Sequence, residues 1–164
     1  MNKEKLAKTA SLFSVFNQKE GKNLPIVLSE SQQEIFSTIV GRTHKRVHVM
    51  TVTQYGKSFT VALAVLVRAV LFGEKWAIVA PSHPKAMIIM RYIIDFAYSN
   101  EDFKSQLDME EKQKDRLKRE VSKTRITFRR GGEIFVLSAD SRNKAAAGEA
   151  LMGFGSPNII LDES

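Results

Sequence analysis

Apolar positions follow two rhythms along the chain. Across residues 34–40 they recur at helical spacing, with Ile35, Phe36 and Ile39 on one face, Ser29 or Ser31 placed to cap the start and Gly41 to stop the end. Residues 47–52 are rich in β-branched side chains and predict a strand. A turn over 53–56 leads into an apolar run, 57–72, that predicts a buried helix closed by Gly73. Residues 76–80 predict a second buried strand, and 84–98 a helix with proline in its first turn. Residues 125–128 and 133–138 predict two strands joined around Arg129-Arg130-Gly131-Gly132 as a hairpin. The last apolar run, Ile159-Ile160-Leu161, leads straight into Asp162 and Glu163.

The remaining stretches are more polar. Residues 1–25 read as a lead-in, with a helix of loose end around Leu12, Phe13, Val15 and Phe16, broken at Leu24-Pro25. Residues 101–123 read as a solvated helix or loop laced with charge pairs, and 140–157 as a loop rich in Gly, Ala and Ser. The order strand, helix, strand, helix, hairpin, strand predicts an α/β fold: a mostly parallel sheet flanked by helices, with a β-hairpin. The lead-in covers 1–25 and one domain covers 26–164.

Composition narrows the chemistry. The chain of 164 residues has no cysteine, which excludes disulfides and thiolate metal sites. His44, His48 and His83 lack metal-ligand spacing. The longest apolar stretch, 59–72, is interrupted by Arg68 and is too short to span a bilayer. The N-terminus carries charge without a signal core, so the expectation is a cytoplasmic protein with no membrane partner. A net charge of +7 favours polyanionic partners through counterion release.

Two constellations carry candidate chemistry. The first is Thr53-Gln54-Tyr55-Gly56-Lys57-Ser58, between a predicted strand and a predicted helix. Amides of such a loop converge on an anion, and the helix N-terminus adds positive potential. Gly56 permits close approach to phosphate, Lys57 reaches the β- and γ-phosphates of ATP, and Ser58 offers a hydroxyl to Mg²⁺. Thr51 stands where the usual loop has its first glycine. The second constellation is Asp162 and Glu163, at the carboxyl end of a strand, the edge where open α/β sheets bind ligands. Asp162 is the expected Mg²⁺ ligand, and Glu163 the residue that orients and deprotonates the attacking water. Upstream, Gln32 is the candidate to pair with adenine.

These residues resemble the large terminase subunits of tailed bacteriophages. Residues 31–36 look like that family's glutamine-containing adenine motif, and 52–58 like its deviant Walker A loop, which lacks the first glycine. Residues 79–86 are similar to its next motif, and 138–163 lead into the Walker B acids as they do in terminases. The resemblance implies a P-loop ATPase that hydrolyses ATP with Mg²⁺ to translocate double-stranded DNA into a procapsid in the host cytoplasm. Its partners would be double-stranded DNA, the portal protein, a small terminase subunit and further copies of itself in a ring. Alternatives are a helicase-like P-loop ATPase fragment, or an incomplete nucleotide- or DNA-binding piece without hydrolysis of its own.

The chain departs from the family pattern in two places. Thr53 replaces the arginine that often precedes the glutamine of the loop, leaving Arg129, Arg130 and Arg142 as candidates for its role. The sequence also runs only one residue past Glu163, so the coupling motif and nuclease domain are absent from it. The reading is of an ATPase domain truncated after the Walker B strand, with a gap in its sheet where the next strand would insert.

Overall fold

The apolar run 57–72 forms the helix at the centre of the core. The computed structural model describes residues 10–52, 55–108, 124–138 and 158–162. In chain order it has β1 (Ser14–Asn17), β2 (Lys22–Pro25), α1 (Glu30–Gly41), α2 (Lys57–Phe72), β3 (Lys75–Ala80), α3 (His83–Ser99), α4 (Glu101–Ser105), β4 (Arg125–Thr127), β5 (Glu133–Ser138) and β6 (Asn158–Leu161). The architecture is α/β, a mixed sheet flanked by helices.

α2 is buried continuously from Thr60 to Val70, because α1 and α3 pack beside it and the sheet lies against it. Arg68 interrupts this run without breaking the core. Its guanidinium binds the Glu74 carboxylate, donates to the Val40 carbonyl at 3.0 Å and lies 4.0 Å from the centre of the Phe72 ring. Glu74 also accepts from Trp76 Nε1 at 3.2 Å and pairs with Arg42 at 3.1 Å. A buried cation is tolerated only when paired and hydrogen-bonded in this way.

The main sheet has the order β4-β5-β3-β6. β5 and β6 each pair with β3 in parallel, and β4 pairs with β5 antiparallel as the expected hairpin. The hairpin sits close against α2: a Cβ on Gly132 would lie 2.0 Å from the Ala69 carbonyl oxygen. β6 has β3 on one side, and among the described residues no strand pairs with its other edge. Leu161 is 71% exposed there, while Ile160, on the helix-facing side, packs on the core.

Two expectations need correction. The apolar patch near residue 15 is not a helix with a loose end. It is strand β1, paired antiparallel with β2, and the hairpin is tied to the body. Asn100 Oδ1 accepts from the Ser14 amide at 2.8 Å, and Phe13 stacks on Phe103 with ring centroids 4.5 Å apart. The expected strand over 47–52 also does not form: those residues lie outside every strand. Met50 is 96% and Val52 74% exposed, and only Val49 packs against the core. β-propensity reflects fit to a paired, half-buried surface, and no paired strand is present beside this segment among the described residues.

Candidate functional site

Topology decides which ends of the elements meet. Only Gly73 and Glu74 separate α2 from β3, so the last turn of α2 lies near the amino end of that strand. At ~1.5 Å per residue α2 is about 24 Å long. Its first turn packs on the second half of α3, where Phe59 meets Tyr92 and Phe96. β6, parallel to β3, ends at the carboxyl rim of β3, and Asp162 follows it there.

Asp162 is held in register there. Its amide donates to the Val79 carbonyl at 2.9 Å, continuing the ladder one step past β6. It is buried, and strand alternation puts it on the same side as Ile160, the side that faces the helices. Ser82, which begins α3, follows the end of β3 at this rim. Lys57 and Ser58 are half-buried. Hard oxygen donors of this kind, a hydroxyl and a carboxylate, suit Mg²⁺, which takes few protein ligands when it also binds phosphate. Among the described residues no cluster of three or more His, Asp or Glu side chains is placed to hold a metal unaided.

Gly56 is the N-cap of α2, at φ +79, a left-handed conformation that glycine adopts without strain, and Gln32 Nε2 fills the space that a Cβ would take there. Its carbonyl accepts from the Thr60 amide and the Thr60 hydroxyl, both at 3.0 Å. No side chain caps the helix and no acid stands in its first turn. Its first amides have no intrahelical acceptor and carry the positive end of the helix dipole.

The loop is fastened to the N-terminus of α1. Gln32 Nε2 donates to the Tyr55 carbonyl at 3.0 Å, while Gln32 Oε1 accepts from the Ser29 amide at 2.9 Å. The Tyr55 hydroxyl and Ser29 Oγ are 3.1 Å apart. Hydrogen bonds from Ser29 and then Ser31 lower the Tyr55 phenol below its ordinary range. Ser29 and Tyr55 were not singled out together by sequence reasoning, although the spacing Ser29-x-x-Gln32 is a capping signature.

A hollow of about 710 Å³ opens beside this start. The β1–β2 hairpin supplies Val15, Phe16, Asn17 and Pro25, the next residues supply Ile26 and Val27, and α2 supplies Phe59. Phe59 is steadied by edge-on contacts with Tyr92 and Phe96, with centroids 5.7 and 4.9 Å away. No local signal in residues 1–25 connects them with Phe59.

Other candidates lie elsewhere. The turn between β4 and β5 sits at the amino rim, and Arg130 donates to the Leu71 carbonyl at 3.2 Å, at the far end of α2. Arg129 and Arg130 are therefore separated from Lys57 by the length of that helix. Thr53, Gln54, Arg142 and Glu163 lie outside the described residues. No helix among the described residues is long and apolar enough to cross a membrane. Comparison with known proteins gives no match: no family model, no curated protein and no solved structure is significantly similar to the chain.

Proposed function

We propose that the chain is the nucleotide-binding part of a P-loop ATPase of the large-terminase type, which uses ATP and Mg²⁺ to drive double-stranded DNA into a procapsid. The observation that supports this reading is the start of α2, where Gly56 in a left-handed conformation is followed by Lys57 and Ser58, with no side-chain cap and no acid in the first turn. The sequence motifs and the net charge of +7 point in the same direction.

In this reading the α2 amides and the Lys57 ammonium hold the β- and γ-phosphates and offset charge that grows on them in the transition state. Ser58 and Asp162 are the residues that would hold Mg²⁺, which would supply further neutralisation of the phosphate oxygens. Glu163 aligns the attacking water and takes its proton. The hollow between the β1–β2 hairpin and Phe59 is the place for the base in this reading, with Phe16 and Phe59 as stacking surfaces and Asn17, Gln18 and Lys19 as polar groups on its wall. The portal protein, a small terminase subunit and ring neighbours are the partners that the reading implies.

The test is a titration of ATP with Mg²⁺ into the chain, followed through the backbone amide resonances. Shifts centred on Gly56, Lys57 and Ser58 are expected, and Lys57→Ala should weaken binding at least tenfold. In a chain that turns ATP over, Glu163→Gln should bind ATP and fail to hydrolyse it. Absence of any shift at 56–58 in the folded wild type would remove the proposal.

A further inference from the structure

We propose that Gln32 is a positioning residue of the phosphate loop, acting on Tyr55 and Gly56, and not the residue that reads the base. The inference rests on the nucleotide-binding function proposed above. Both ends of the Gln32 amide are already engaged: Oε1 accepts from the Ser29 amide at 2.9 Å, and Nε2 donates to the Tyr55 carbonyl at 3.0 Å. The side chain is half-buried between α1 and the loop. The space above Gly56 is occupied by the same nitrogen, which would lie 2.5 Å from a Cβ placed there. The Tyr55 hydroxyl meets Ser29 Oγ at 3.1 Å, a second fastening between the same two segments.

This arrangement fixes the peptide that immediately precedes the first helical amides of α2. Rotation of the Tyr55–Gly56 peptide would turn the Gly56 amide and tilt the start of the helix, so its orientation decides whether the amides converge on one anion. Reading a base would require the Gln32 amide to leave two partners, one of them the cap of its own helix. The hollow lined by Phe16 and Phe59, with Asn17, Gln18 and Lys19 on its polar wall, offers the base aromatic faces and hydrogen-bonding groups without that cost.

The two roles separate with a ligand that has no base. Inorganic tripolyphosphate and ATP, each with Mg²⁺, are titrated into wild type and Gln32→Ala by amide chemical shift, at a temperature where circular dichroism shows both proteins folded. Positioning predicts that Gln32→Ala weakens both ligands by the same factor, about tenfold, the scale of one lost hydrogen bond. A loss for ATP alone, with tripolyphosphate unchanged, would make Gln32 a base reader and overturn the inference. Gln32→Glu separates the loop bond from the cap, because a carboxylate still accepts from the Ser29 amide and no longer donates to Tyr55. Measured in high salt, which screens the added charge, it should stay weakened toward tripolyphosphate. Wild-type affinity in Gln32→Glu would show that capping α1 is the whole of the role and would equally overturn the inference. If wild type binds neither ligand at residues 56–58, the proposed function fails first, a result seen before any substitution is made, and this inference fails with it.

Discussion

Replacing Gly56 by alanine tests the loop geometry without touching any charged group. Two costs add. Alanine at φ +79 must hold a left-handed conformation, worth about 1–2 kcal/mol. Its Cβ would also fall 2.5 Å from Gln32 Nε2. Gln32 is the end of a flexible side chain, so it swings aside and breaks its bonds to Tyr55 and Ser29, at about 0.5–1 kcal/mol each for a half-exposed amide. The sum is about 3 kcal/mol, a large share of the ~5–15 kcal/mol that stabilises an ordinary domain. The same substitution in a Gln32→Ala background meets no obstruction and breaks no bond, so only the backbone strain remains. The cycle of wild type, two single variants and the double variant should therefore show a coupling of about 1–2 kcal/mol. Urea unfolding followed by far-ultraviolet circular dichroism measures all four stabilities. Additive single effects, within about 0.5 kcal/mol, would refute the contact between Gln32 and the loop.

Glu74→Ala should destabilise the chain by about 3–5 kcal/mol, because it leaves the buried Arg68 guanidinium without its counter-ion. Urea midpoints measure this, and the emission of Trp76, whose indole donates to Glu74, should shift with it. Gly132→Ala should cost about 3 kcal/mol or more, since the Cβ meets the Ala69 carbonyl of a fully packed helix and neither backbone has room to retreat. An unchanged melting temperature would mean that the hairpin and α2 are not in such close contact. The Tyr55 phenol ionises below its unfolded value of 10.0. It therefore adds stability as pH rises through the window between its folded value and 10.0, and that increment is lost as pH falls back through the window. Ser29→Ala should move its absorbance titration back up, and an unmoved titration would contradict the Ser29–Tyr55 bond.

The helices and the strands that carry the core were legible in the sequence because their signals are local. α2 announces itself through its long apolar run, interrupted by Arg68, and Gly73, and α3 through proline in its first turn. β3, the buried strand between β5 and β6, and β6 are short apolar runs of the kind that parallel sheets use. The errors have one physical origin. Four residues such as Ser14–Asn17 carry too few apolar positions to separate a helical period from a strand period, and the contacts that decide come from Asn100 and Phe103, far along the chain. Residues 47–52 have the composition of a strand, and composition cannot supply a neighbour to pair with. The candidate site divides in the same way. Gly56-Lys57-Ser58 and Asp162 were visible as spacings, whereas the bonds joining Gln32 and Ser29 to Tyr55 span 23 and 26 residues and depend on how α1 packs against α2.

The position of Arg129 and Arg130 leads to the last prediction. Both were candidates for an arginine acting on the γ-phosphate, and the sequence did not choose between them. The fold places their turn at the start of β5, which is parallel to β3, so it lies at the rim where β3 begins. Arg130 is further fixed there. Its guanidinium donates to the Leu71 carbonyl in the last turn of α2, an end where a cation is favoured by the helix dipole. A nucleotide at the first turn of α2 is thus about 24 Å away along the helix, beyond the span of an arginine side chain. Neither residue can serve a nucleotide bound to its own chain without a rearrangement of the core. Arg129→Ala and Arg130→Ala should therefore leave the affinity of the isolated chain for ATP unchanged, and Arg130→Ala should cost about 0.5–1 kcal/mol through the lost bond to Leu71. If these residues act on phosphate, they do so on the nucleotide of a neighbouring copy, so a loss of turnover would appear only under conditions in which copies associate. Loss of ATP affinity in a monomeric Arg129→Ala or Arg130→Ala variant would contradict the separation of this turn from the start of α2.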